Sequence, residues 1–205
     1  MGLYSPYADA SANTIYNLLF CDAIEDFVKL APDFPPIFAA TFDEDAVRAI
    51  AHDEAVESRV RYIAFQRLRR ENAVVPKGLV LGVIVEVVLE GGMDTLAAYA
   101  DGRVRYVNQS SKMTIVEDTN SPMREQALAL VEAARPLVAR IGPWTETRRP
   151  PPQGADTGRL SFLVSDGLYF GEGPMSALSA DPLGGRVVQA AVQLLVATVD
   201  LSKKS

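Results

Sequence analysis

Residues 79–107 read LVLGVIVEVVLEGGMDTLAAYADGRVRYV. A long run of Val, Ile and Leu comes first, and two shorter apolar runs follow it. Val, Ile and Tyr are typical of strands, and the dipeptides Gly91-Gly92 and Asp101-Gly102 readily adopt the positive φ angles of hairpin turns. The stretch therefore predicts three antiparallel strands that are joined by two hairpins.

The faces of this sheet follow if each dipeptide forms a two-residue turn. Val87 then lies opposite Leu96, and Tyr99 lies opposite Val104. Because side chains alternate between faces, the first face carries Val83, Val85, Val87, Leu96, Ala98 and Val107, with Arg103 and Arg105 near its end. The second carries Ile84, Glu86, Val88, Thr95, Ala97, Tyr99, Val104, Tyr106 and Asn108. A slip of one residue would exchange the faces.

Both faces are too apolar to be left in water. We expect helices to cover the first face. The second face needs further helices, a partner subunit or a ligand.

The rest of the chain predicts a second hairpin unit and several helices. A fourth short strand is expected at 112–117, and another hairpin turns at Asp166-Gly167. Strand, Asp-Gly turn, strand and helix thus occur twice, from about Thr95 and from about Arg159, which suggests a ββα pseudo-repeat. We predict a single α+β domain over 1–205, with a mostly antiparallel sheet of about five to seven strands built from Asp-Gly and Gly-Gly hairpins and packed with helices.

Four segments make up this predicted domain. They are a helical N-terminal part at 1–72, a β-meander plus helix at 78–142, a Pro/Arg-rich loop at 143–158 and a β-hairpin plus helix at 159–200. In the first segment, the periodicity of Ile15, Leu18, Leu19, Ile24 and Phe27 predicts a helix, and residues 41–44 have the form of a capping box. Four arginines of the following helix are expected to face solvent: Arg59, Arg61, Arg67 and Arg70.

Charge and cysteine content limit the function classes. The 26 acidic residues outnumber the 20 basic ones, and a formal charge of −6 disfavours nucleic-acid binding. The single cysteine, Cys21, excludes an intramolecular disulfide. No signal peptide is recognisable, and the most apolar run is too short to cross a membrane as a helix. We therefore expect a cytoplasmic protein without a membrane partner.

Catalytic and metal-binding motifs are not recognisable in the sequence. His52 is the only histidine, so a zinc site of the usual His/Cys type and a histidine proton shuttle are both disfavoured. The glycine pairs fit neither the P-loop nor the dinucleotide-binding fingerprint. We predict no catalytic residue, no metal and no cofactor.

Two groups of residues remain as candidate binding sites. Glu86, Tyr99, Tyr106 and Asn108 form a polar edge on the second face, where a ligand could bind. The alternative is an internal Tyr–Glu hydrogen bond beneath a helix. Trp144, Arg148 and Arg149, next to a stiff proline run, suit partner recognition. Here the alternative is a rigid surface connection pinned by Trp144.

The first functional hypothesis is a non-enzymatic binding or adaptor module that forms a homo-oligomer or binds a protein partner. It predicts an exposed apolar patch that a second subunit or partner completes. The second is a small-molecule enzyme that uses Glu86 and Tyr106 in acid–base chemistry. It requires both groups to converge in one pocket. A third is regulation through the proline-rich loop.

Overall fold

The computed structural model describes residues 3–22, 27–28 and 32–202. These residues form one six-stranded antiparallel sheet and seven helices, so the predicted α+β class is confirmed. The strands are β1 (Val80–Leu89), β2 (Gly92–Tyr99), β3 (Val104–Val107), β4 (Met113–Val116), β5 (Thr157–Val164) and β6 (Gly167–Pro174). The helices are α1 (Ala10–Leu19), α2 (Pro35–Phe38), α3 (Glu44–His52), α4 (Ser58–Arg70), α5 (Arg124–Val138), α6 (Met175–Ala180) and α7 (Gly184–Ser202).

Strand β1 lies in the middle of the sheet, whose order is β4-β3-β2-β1-β5-β6. It pairs with β2 on one side and with β5 on the other. Its first seven residues are all buried. A strand that is enclosed on both faces favours an unbroken apolar run over alternation, which explains its Val- and Ile-rich sequence.

The first hairpin turns one position earlier than predicted. Gly92 already pairs with Leu89, so the two turn residues are Glu90 and Gly91. Leu96 consequently lies opposite Val85, and the predicted pairing with Val87 is wrong by two residues. A shift of two residues keeps every side chain on its face. The face assignment of β1 and β2 is therefore correct.

The second hairpin has a three-residue loop, 100–102, where a two-residue turn was predicted. The Gly102 N–H donates to the Tyr99 carbonyl at 2.9 Å, and Gly102 has a φ of 92°, which favours glycine. Val104 therefore pairs with Ala98, and the predicted pairing with Tyr99 is wrong by one residue. This slip moves Val104 and Tyr106 to the first face. Arg105 and Val107 move to the second.

Helices cover both faces of the sheet. On the first face, Val83, Val85 and Leu96 belong to one core cluster with side chains of α5 and α7, as expected. On the second face, Ile84 and Tyr99 belong to another cluster with side chains of α1, α3 and α4. The cover of the second face, which the sequence left open, is thus supplied by the N-terminal helices of the same chain.

The N-terminal helices differ from the prediction at their ends. Asp9 caps α1 by accepting the Ala12 N–H at 2.9 Å, and the helix ends at Leu19. The predicted position Ile24 lies outside the described residues. Helix α3 begins after Asp43, which accepts the Ala46 N–H, so the capping-box prediction for 41–44 places the cap two residues too early.

Three of the four arginines predicted to face solvent are partly or fully enclosed, namely Arg59, Arg61 and Arg67, and only Arg70 is exposed. The guanidinium of Arg59 lies 5.7 Å from the Tyr99 ring centroid and 5.9 Å from that of Phe27. Arg61 is buried and donates from Nε to the Ala51 carbonyl at 3.1 Å. The predicted outward orientation is wrong because a guanidinium can stack on rings and bind helix carbonyls while its stem is enclosed.

Within the described ranges, no helix combines the length and the apolar character that crossing a membrane requires.

Candidate functional site

Glu86 lies in a closed polar network beneath α1. Its side chain is fully buried, and Tyr16 Oη donates to Glu86 Oε1 at 2.7 Å. Arg159 Nη1 is 3.7 Å from Oε2, an oxygen that accepts no hydrogen bond from the described residues. Burial raises the pKa of Glu86, and this effect outweighs the opposing influence of Arg159 and Tyr16. The geometry corresponds to the internal Tyr–Glu hydrogen bond considered as the alternative.

The other three residues of the predicted ligand site are dispersed. Tyr99 is buried and donates to the Leu19 carbonyl at 3.1 Å. Tyr106 lies on the opposite face from Glu86 and donates to Asp94 Oδ2 at 2.7 Å. Asn108 organises the β3–β4 turn by accepting the Ser110 and Lys112 N–H groups. The structure therefore does not bring the four residues together.

Arg148 connects the proline-rich loop to α1 and the residues that follow this helix. Its guanidinium carbon lies 4.0 Å from the Phe20 ring centroid, Nη2 donates to Asn17 Oδ1 at 3.1 Å, and Nε donates to Asp22 Oδ2 at 2.5 Å. The side chain is almost completely buried. It is therefore not available on the surface where partner binding was predicted.

Trp144 and Arg149 lie on the other side of this loop. The Trp144 ring meets Phe170 edge-on at 5.1 Å, and its Nε1 donates to the Thr147 carbonyl at 3.0 Å. Arg149 is exposed, with its guanidinium 5.8 Å from the same Phe170 ring. These contacts agree with the alternative reading, in which Trp144 pins the loop to the sheet.

Neither His52 nor Cys21 lies in a reactive setting. His52 packs edge-on against Phe65 at 5.3 Å. Cys21 is fully buried, and burial raises its pKa, which disfavours the thiolate. In the part of the chain that the structure describes, no three His, Cys, Asp or Glu side chains are grouped to share a metal ion.

An apolar strip runs along the outer side of α7. We use the name α7 strip for Val192 and Val196, which are 53% and 57% exposed and lie one helical turn apart. Beside it is a small apolar cleft of about 60 Å³, whose walls include Val85, Val87, Leu96, Tyr106 and Leu195. The apolar residues of α7 extend around more than one side of the helix, and this spacing is the signal in the sequence that could have indicated an exposed apolar side.

A larger, polar pocket lies at the other end of β1. This arginine pocket, of about 460 Å³, is walled by the start of β1, the β2–β3 loop, the α3–α4 connection and α5. Its charged lining residues are Glu54, Arg61, Asp101, Arg103, Arg124 and Arg135. Because these residues come from four separate segments, no local motif in the sequence marks them.

The chain was compared with protein-family models, curated proteins and solved structures, and none of the three comparisons found a match.

Proposed function

We propose that the chain is a non-enzymatic binding module that pairs with a second copy of itself through the α7 strip. The observation that supports this proposal is the exposure of two valines on adjacent turns, next to an apolar cleft. Single exposed apolar residues need no explanation, whereas neighbouring ones next to a cleft are a reason to propose an interaction surface.

The strip and the cleft complement each other. Val192 and Val196 are exposed, and Val192 also forms part of the wall of the apolar cleft between α7 and Tyr106. A two-fold interface uses the same patch on both subunits. Rotation about a two-fold axis would therefore place the valines of each copy against the cleft of the other.

The other two hypotheses receive less support. The acid–base pair that an enzyme would need is divided by the sheet, because Glu86 and Tyr106 lie on opposite faces. In the proline-rich loop, Arg148 is engaged internally. A cytoplasmic location remains part of the proposal.

Sedimentation velocity over about a hundredfold range of protein concentration tests this proposal. We expect the native chain to shift from monomer to dimer as concentration rises. The double substitution Val192→Asp with Val196→Asp should leave it monomeric throughout, because pairing would desolvate four carboxylates without counter-ions.

Val74→Asp is the matched control, since Val74 is 83% exposed and lies outside the α7 strip. It should dimerise like the native chain. Far-UV circular dichroism should show that all variants are folded. A native chain that stays monomeric at the highest concentration, or a double variant that dimerises normally, would contradict the proposal.

A further inference from the structure

We infer that the arginine pocket is a binding site for a small molecule that carries an oxyanion group, either phosphoryl or carboxylate. The site is independent of the α7 strip. The inference starts from Arg61, which reaches the pocket from the first turns of α4.

Arg61 is exceptional among the buried arginines of the described chain. The other three each have a carboxylate partner: Arg105 pairs with Glu117, Arg148 with Asp22 and Arg159 with Glu172. Arg61 is only 8% exposed, yet no carboxylate of the described residues lies within ion-pairing distance of it. Burying a charge without a partner is costly.

The hydrogen bonds of Arg61 leave most of its donors unused. Its single hydrogen bond runs from Nε to the Ala51 carbonyl, at the end of α3. A guanidinium has five N–H donors, so the two terminal nitrogens remain for a group in the pocket. Because Nε is held by a helix carbonyl, the guanidinium is oriented before any ligand arrives.

A second guanidinium lines the same pocket. Arg124 Nη1 donates to the Asp101 carbonyl at 2.7 Å and to the Thr119 carbonyl at 3.1 Å. Within the described ranges it too has no carboxylate partner, and its Nε and Nη2 make no hydrogen bond. Arg124 also packs against Gly102, so the β2–β3 loop supports its position.

The remaining charges of the pocket are mostly satisfied. Asp101 accepts hydrogen bonds from the Ser58 and Arg103 N–H groups, and its carboxylate pairs with the Arg103 guanidinium. Arg135 pairs with Glu132. Glu54 lies on the exposed rim. The interior therefore offers two guanidiniums, Arg61 and Arg124, without a counter-ion.

The chemistry of the lining defines the ligand class. The planar guanidinium fork matches the paired oxygens of a phosphoryl or carboxylate group. Ala55, Ala100 and residues 79–81 add a partly apolar wall, against which a short carbon skeleton can pack. The volume of about 460 Å³ falls in the range of small-molecule sites.

Calorimetric titration of the full chain with inorganic phosphate and, separately, with acetate tests the inference. Chloride is adjusted so that ionic strength stays constant. We expect saturable binding of one equivalent of at least one of these anions. Arg61→Gln and Arg124→Gln should each weaken that binding by about tenfold or more, since each removes hydrogen bonds from a charged donor.

Arg140→Gln is the matched control. Arg140 is exposed and lies outside the pocket, and its substitution removes the same charge as the pocket substitutions do. It should bind like the native chain. Binding of phosphate alone would identify a phosphoryl ligand, and binding of acetate alone a carboxylate. If Arg61→Gln fails to fold, the anion affinity of Arg124→Gln alone tests the inference. No saturable binding, or equal weakening in the Arg140 and pocket variants, would overturn the inference.

Discussion

At the scale of single residues, Glu86 makes stability depend on pH. Its raised pKa means that the folded chain holds the proton to a higher pH than the unfolded chain does. Its contribution is complete below the ordinary glutamate pKa and is lost as pH rises through the raised pKa. Glu86→Gln cannot ionise, and its amide oxygen can still accept the Tyr16 hydroxyl.

We therefore expect Glu86→Gln to gain stability relative to the native chain as pH rises from about 4 to 8. Urea unfolding at several pH values measures this difference. Glu146→Gln, which changes an exposed loop glutamate, is the control and should show a constant difference. A constant difference for Glu86→Gln as well would show that Glu86 ionises normally in the fold.

The burial and the partners of the arginine side chains could not be predicted from the sequence pattern. Periodicity sorts side chains by hydrophobicity, so Arg61 was assigned to solvent with its charged neighbours. Whether a guanidinium finds a helix carbonyl or a carboxylate depends on segments that are distant in sequence. Arg148 was misjudged for the same reason, since its partner Asp22 belongs to another part of the chain.

At the scale of elements, the sequence predicted strand positions better than turn lengths. Asp101-Gly102 suits both a two-residue turn and a longer loop in which glycine alone has a positive φ. Here Asp101 Oδ1 accepts the Arg103 N–H, and the longer loop forms. Because of that one-residue difference, Tyr106 lies on the opposite face of the sheet from Glu86. Most elements, from the apolar run of β1 to the apolar helix α7, were recognisable, but the short helices α2 and α6 were not predicted.

The corner between α6 and α7 depends on a glycine. A Cβ on Gly185 would lie 2.4 Å from the Ser179 carbonyl oxygen, and backbone atoms cannot move aside as a flexible side chain can. We expect Gly185→Ala to lower the free energy of unfolding by about 1–3 kcal/mol.

Gly142→Ala provides the comparison, because a Cβ there would meet nothing within 4 Å. It should change the free energy by less than about 0.5 kcal/mol. Guanidinium chloride unfolding of both variants gives the two values. Equal losses would mean that the close approach of α6 to α7 does not constrain position 185.

At the scale of the whole molecule, the two proposed sites lie at opposite ends of β1. Val80 lines the arginine pocket and Val87 lines the cleft beside the α7 strip. Seven residues of a strand span about 23 Å. A packed sheet between two sites does not by itself couple them, since coupling needs an element with two arrangements.

We expect saturating phosphate or acetate, whichever binds, to change the dissociation constant of the dimer by less than about twofold. Sedimentation velocity with and without the anion, at constant ionic strength, measures the dissociation constant of the dimer in the two conditions. Arg61→Gln should give the same dimer constant in both conditions. A larger shift that Arg61→Gln abolishes would show that the sites communicate, for which α5 offers a path because it borders the pocket and packs in the same core cluster as α7.

The central place of β1 also has a consequence for folding kinetics. Its pairing with β2 joins neighbours in sequence, whereas its pairing with β5 brings Ile84 to Ser161 across the whole β1–β4 meander and α5. Closing a long loop costs conformational entropy, and the contacts between the two strands offset this cost only after the loop has closed. Pairing between strands that are distant in sequence therefore slows folding. The β1–β4 meander can therefore assemble early, and while β5 is absent it presents an open edge of Val and Ile to other chains. The nascent protein is then most prone to aggregate in the interval before residues 157–164 dock.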